Sequence, residues 1–127
     1  MEFTGPAGSI YRDSLLDTGS DDTVLQEMIA GLLGIDLSSA PSYIVHLAGR
    51  GPVHCRYAKV SLRISDGQEA FAWSAIIGFV PANLHNPLLG FAGFLQFFNA
   101  DFRGADRQVN LTPNHTFPGQ VQQKTAP

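Results

Sequence analysis

The chain has 127 residues, a formal net charge of −3 and 44% hydrophobic residues. That length suits one domain with a small core, and the weak negative charge leaves out the broad basic surface that nucleic acid binding needs. Charged residues make up only 15%, a low share for a lone globular domain, so a partner is expected to cover part of the surface.

Residues 1–8 are expected to form an N-terminal segment outside the folded domain. Met1-Glu2-Phe3 reads as a cloning remnant or a shortened strand, and Gly5-Pro6-Ala7-Gly8-Ser9 as a turn cluster. Ile10 to Leu16 reads as a strand that runs into Asp17. Over Gln26 to Leu33, the apolar residues Met28, Ile29, Leu32 and Leu33 have the spacing of one helical face, and Gly34 stands at the C-cap. Tyr43 to Leu47 reads as a strand, followed by the glycine-bearing turn Ala48-Gly49-Arg50-Gly51-Pro52.

The return run, Val53 to Ile64, alternates: Ala58, Val60, Leu62 and Ile64 share one face, and Tyr57, Lys59, Ser61 and Arg63 the other. Asp66-Gly67 predicts a hairpin turn into a strand over Ala70 to Val80. Pro81 to Pro87 reads as a loop and Leu88-Leu89-Gly90 as a short apolar run. Phe91 to Phe98, apolar nearly all round, predicts a buried short helix. Phe102 to Leu111 predicts a last hairpin turning near Gly104-Ala105-Asp106, and residues 112–127 predict a flexible tail. The fold class is therefore all-β with two short helices.

Cys55 is the only cysteine, so no internal disulfide is possible. A thiol beside His54 raises the idea of a cysteine nucleophile, but neighbours on a strand point to opposite faces. Cys55 is read as structural, and its free thiol fits a cytoplasmic setting. The four histidines lack metal-ligand spacing, so neither a metal nor another cofactor is expected. No apolar run approaches the ~20 residues that span a membrane, and no secretory leader pattern is present.

The stretch Leu15-Leu16-Asp17-Thr18-Gly19-Ser20-Asp21-Asp22-Thr23-Val24-Leu25 carries the chemistry. An apolar strand ends on a carboxylate, followed by a glycine that lets backbone approach closely and a threonine whose hydroxyl can tie the loop down. Alone, Asp17 reads as a turn residue that caps its own loop. Asp21 and Asp22 read as polar turn residues or as acids before a helix N-terminus. Two carboxylates face to face would do more, since one can take a proton from water while the other gives one to a carbonyl; aspartic proteases are the standard instance of such a dyad.

Leu16 to Leu25 closely resembles the active-site loop of retropepsins, the retroviral-type aspartic proteases. The hairpin around Gly49 to Gly51 resembles their flap. Leu88-Leu89-Gly90 resembles their second block, ahead of the C-terminal helix. The order agrees from about Ser9 to Leu111, and the sequence from Gly90 to Phe98 looks closer to bacterial or transposon-type relatives than to the viral enzymes.

The resemblance implies a closed, barrel-like half-lobe over residues 9–111 that works as a homodimeric aspartic endopeptidase, with no nucleic acid or membrane partner. Each subunit supplies one catalytic Asp17. Thr18 and Gly19 support the loop, Thr18 as a brace between subunits. Asp21, Asp22, Ala48, Gly49, Arg50 and Gly51 contact a peptide or protein substrate, and Val24, Val53 and Leu84 wall its pockets. Phe91 stands where the viral enzymes have an arginine that braces the acid at position 21, which leaves Arg12, Arg50, Arg56 or Arg103 to replace it. The rival reading keeps the fold as a non-catalytic peptide-binding or dimerisation module.

Overall fold

The structure is a computed structural model, and it describes residues 1–47 and 49–123. In chain order it contains β1 (Glu2–Gly5), β2 (Gly8–Tyr11), β3 (Leu15–Leu16), β4 (Val24–Gln26), α1 (Glu27–Leu33), β5 (Ser42–Leu47), β6 (Gly51–Ser65) and β7 (Glu69–Val80). There follow β8 (Leu88–Leu89), a 3₁₀ helix (Leu95–Phe97), β9 (Phe98–Arg103), β10 (Gln108–Pro113) and β11 (Gln120–Gln123). The molecule is mostly β, and its main sheet curls into a half-barrel.

The long β6–β7 hairpin is the spine. Its alternation is as the sequence indicates: Val60 and Leu62 are buried, while Lys59 and Ser61 face solvent. Its turn is fixed by Asp66, whose Oδ1 accepts the backbone N–H groups of Gln68 and Glu69, each at 2.8 Å. Those two donors hold the Asp66 carboxyl below its ordinary pKa, because they favour the charged form. Around this spine the strands run β2-β1-β6-β7-β4-β8-β3, with β5 added to β6 and β11 to β7. β9 and β10 form a separate two-stranded sheet.

α1 closes one side of the core. Its C-terminus is capped by Gly34 in the left-handed region (φ 72°), with the N–H of Ile35 reaching back to the Ala30 carbonyl at 2.9 Å. The buried face is Ile29, Ala30 and Leu33, whereas Met28 and Leu32 are 63% and 50% exposed. The helix is thus turned so that small Ala30 faces the sheet, and two of the four apolar residues in the expected stripe look outward.

Other expectations are also corrected. The N-terminal segment, expected outside the domain, forms a strand that belongs to the core: Phe3 is fully buried, opposite Ile10 on β2 and Leu62 on β6. Burying a phenylalanine side chain is worth about 2–3 kcal/mol, enough to order a short strand that already has two hydrogen-bonded neighbours. The strand expected over Ile10 to Leu16 is broken at Arg12-Asp13-Ser14, so β2 and β3 pair with different partners. Residues 91–98 do not form a helix beyond the 3₁₀ turn, and Phe91 is 60% exposed.

The chain beyond residue 111 is docked up to Gln123. Phe117 packs on Phe71, Trp73 and Phe98, with ring centroids 5.5 to 6.2 Å apart. β11 then extends the sheet alongside β7, from Gln120 opposite Ala72 to Gln123 opposite Glu69. The polar composition of this segment hides one aromatic anchor, which is enough to seat it. Among the described residues no helix is long and apolar enough to cross a membrane.

Candidate active site

β3 and β8 pair in parallel, Leu15 opposite Leu88 and Leu16 opposite Leu89. That pairing delivers Asp17 to the end of the sheet, where its N–H donates to the Leu89 carbonyl at 3.0 Å. The carboxylate caps its own loop: the N–H of Gly19 donates to Asp17 Oδ1 at 2.9 Å. The turn-capping role open to Asp17 from the sequence is therefore real, and it occupies one oxygen. Oδ2 makes no hydrogen bond among the described residues, and Asp17 is half-buried at the surface of the chain.

The loop after Asp17 is held by backbone. The N–H of Phe91 donates to the Ser20 carbonyl and that of Ala92 to the Asp21 carbonyl, both at 2.9 Å. The N–H of Thr23 answers to the Ala92 carbonyl at 3.0 Å, and the Ser20 hydroxyl donates to the Asp22 carbonyl at 2.7 Å. Gly90 is the contact point: a Cβ there would run into the carbonyl oxygens of Asp22 and Ser20. The sequence block Leu88-Leu89-Gly90 is therefore a splint for the Asp17 loop, with Leu88 and Leu89 supplying the strand and Gly90 the close approach.

A cleft of about 300 Å³ lies between this loop (Gly19 to Asp22), Val24 and residues Ile44 to Leu47 of β5. Cavities of about 260 Å³ and 590 Å³ lie elsewhere, so size does not single the cleft out. Its composition does, because the Asp17 loop supplies its floor. Val24, Val53 and Leu84 gather in one satellite cluster with Cys55 and Val80 beside the cleft. Cys55 is fully buried, and burial pushes its thiol pKa up, as befits a structural residue.

Asp22 has a partner that the sequence reading missed. The Tyr57 hydroxyl donates to Asp22 Oδ2 at 2.9 Å. Burial first, then the neighbouring Cys55 and Asp22, raise the Tyr57 pKa far above its ordinary value, so the phenol stays neutral. The alternation of β6 placed Tyr57 on the outward face, but nothing local tied it to a residue 35 positions earlier.

Gly49 and Gly51, at the tip between β5 and β6, have φ of 74° and 69°, values that favour glycine. Ala48 lies outside the described residues. None of the four arginines considered reaches Asp21. Arg12 donates to the Tyr11 carbonyl, Arg50 to the Asn83 carbonyl, Arg56 pairs with Glu27, and Arg103 pairs with Asp101 and Asp106. The backbone bonds from Phe91 and Ala92 hold the loop instead. Thr18 is exposed, and its hydroxyl makes no hydrogen bond among the described residues. Thr23, fully buried beneath the loop, has a hydroxyl without a partner among the described residues.

No group of three or more His, Cys, Asp or Glu residues able to hold a metal gathers among the described residues. Comparison of the chain with protein-family models, curated proteins and solved structures found no match.

Proposed function

We propose that this chain is one subunit of a homodimeric aspartic endopeptidase with the retropepsin-like fold its sequence resembles. The observation that supports this most is the setting of Asp17. A carboxylate with one oxygen uncommitted sits on a loop splinted by Gly90, two residues before the stretch Gly19 to Asp22 that lines a cleft, with apolar side chains exposed nearby. Leu15, two residues before Asp17, is 54% exposed, and Phe91, bonded to the loop through its backbone, is 60% exposed. Apolar surface at such a place fits coverage by a second copy.

One carboxylate cannot act as base and acid in the same step. In the dimer, ionised Asp17 takes a proton from a water as the water oxygen attacks the scissile carbonyl carbon. The partner's Asp17, protonated, gives its proton to the carbonyl oxygen. Collapse of the tetrahedral diol then breaks the C–N bond: the first Asp17, now protonated, gives its proton to the leaving nitrogen, and the partner's Asp17 takes one back from a diol hydroxyl, which restores the dyad. The peptide lies extended under the β5–β6 flap and pairs with it as an added strand.

The test is cleavage of a mixed peptide library at acidic to neutral pH by wild type and Asp17→Asn, with the dimer followed by sedimentation. Asp17→Asn is expected to lower turnover by about 10³-fold or more while keeping the fold, since general acid–base catalysis is worth that order. The change also removes repulsion between two close carboxylates, so the dimer is expected to hold at least as well. A variant that keeps a tenth of the wild-type rate, or a monomer of full specific activity, would refute the dyad.

A further inference from the structure

Among the described residues, the tip of the β5–β6 hairpin makes one side-chain hydrogen bond to the rest of the chain. Arg50 reaches across to the loop at residues 81–87, where its Nη2 donates to the main-chain carbonyl of Asn83 at 2.6 Å. The Asn83 side chain is engaged in turn: its Oδ1 accepts from Gln26 Nε2 at 3.2 Å. Gln26 ends β4, the strand that continues from the Asp17 loop through Thr23 and Val24. Arg50 sits between two glycines in the left-handed region, both with open space around the Cα. The tip backbone thus has joints on either side of Arg50, while Leu47 and Val53 at its base pack against the cluster of Val24, Cys55 and Val80.

We propose that Arg50 is a positioning residue, a latch that sets the height of the flap over the cleft by anchoring it to its own subunit through Asn83 and Gln26. The latch rests on the reading of the hairpin as a flap. Its Nη2 is engaged by the loop, and in this role Arg50 acts on substrate through the roof. A charged donor on a carbonyl is among the stronger single hydrogen bonds, and here the acceptor belongs to the main chain, which no side-chain change at Asn83 removes. With the latch made, the roof stays in gripping position. With it broken, the joints at Gly49 and Gly51 let the tip swing.

The experiment is hydrogen exchange of the tip segment, residues 42–56, in the full chain carrying Asp17→Asn, which prevents self-cleavage. Arg50→Met keeps the length of the side chain and loses its donors; Arg50→Lys keeps the charge and one point of contact. Arg50→Met is expected to speed exchange of the tip by roughly three- to tenfold, the scale of one lost hydrogen bond, with Arg50→Lys in between. In the active background, Arg50→Met is expected to raise KM by a similar factor, with kcat within about twofold, since grip is lost and chemistry is not. Tip exchange equal to wild type in Arg50→Met overturns the latch. So does equal acceleration in residues 60–75, which would mean general loosening. Should the wild type cleave no peptide at all, the protease reading fails while the exchange arm still decides the latch.

Discussion

The floor and the roof of the cleft are built by opposite means. The loop from Asp17 to Thr23, whose residues Gly19 to Asp22 form the floor, is tied by a series of backbone bonds to Leu89, Phe91 and Ala92, and Gly90 lets the two segments touch. The roof, at the tip of β5 and β6, has a two-stranded ladder, two glycines with positive φ and the Arg50 bond to Asn83. Main-chain bonds between close segments leave little room for adjustment, whereas a hairpin tip with a glycine on either side of its anchoring side chain has more backbone freedom. A site that must hold a reacting carboxylate still and also admit a chain needs both.

Alanine at one glycine of each region breaks the comparison most sharply. Gly90→Ala places a methyl against the carbonyl oxygens of Asp22 and Ser20, and neither is a side chain that can turn away. The expected cost is about 3 kcal/mol or more, from overpacking against backbone, with loss of any peptide cleavage. Gly49→Ala meets no atom within 4 Å and suffers only from its φ of 74°. Its expected cost is about 1–2 kcal/mol at most, felt at the tip. Urea denaturation of the two variants checks this, and comparable losses would mean that the splint is not what Gly90 supplies.

How much of this was legible in the sequence depends on the range of the interaction. The β6–β7 hairpin was readable because alternation and an Asp-Gly turn are local signals. So was the Gly34 cap. The fate of Phe3 was not, because what makes it a core residue is Leu62, far along the chain. The docked tail failed for a similar reason: its composition is polar, and Phe117 alone reaches the aromatic cluster. Residues 91–98 misled in the other direction, since apolar positions nearly all round came from two needs at once, with Phe94 and Phe98 filling the core and Phe91 left outside. In the site, Asp17, Gly19 and the Leu88-Leu89-Gly90 block stood out as a pattern. The partners that hold them, Tyr57 for Asp22 and Asn83 for Arg50, are cross-chain contacts without a local signature.

Thr23 sharpens the account of the floor. Its hydroxyl is buried without a partner among the described residues, although its backbone N–H and carbonyl are both used, by Ala92 and Gly78. Thr23→Val keeps the branched shape and removes the orphaned group, so it is expected to stabilise the chain by about 1 kcal/mol. A rise in Tm of a few degrees would show it. A drop would mean that the hydroxyl has a partner in the assembled protein.

The last effect, no larger than that at Thr23, concerns the side-chain bond from Tyr57 to Asp22, which joins β6 to the floor. Near neutral pH, Tyr57→Phe loses a single hydrogen bond and is expected to cost about 1 kcal/mol. Its signature lies at high pH. The folded chain raises the Tyr57 pKa above its ordinary 10.0, first through burial and then through Cys55 and Asp22. A group whose pKa is higher folded than unfolded contributes fully below the unfolded value, and its contribution is lost as pH rises through the folded one. Stability should therefore fall once pH passes about 10, where the unfolded chain releases the phenolic proton and the folded chain keeps it. Cys55 slopes in the same direction from its ordinary 9.0, for the same reason of burial. Tyr57→Phe and Cys55→Ala, alone and together, separate the two slopes in urea denaturation between pH 8 and 11. Tyr57→Phe should flatten the upper part of the decline and leave the lower part to Cys55. An unchanged profile in Tyr57→Phe would show that the folded chain does not hold the phenolic proton more tightly than the unfolded one.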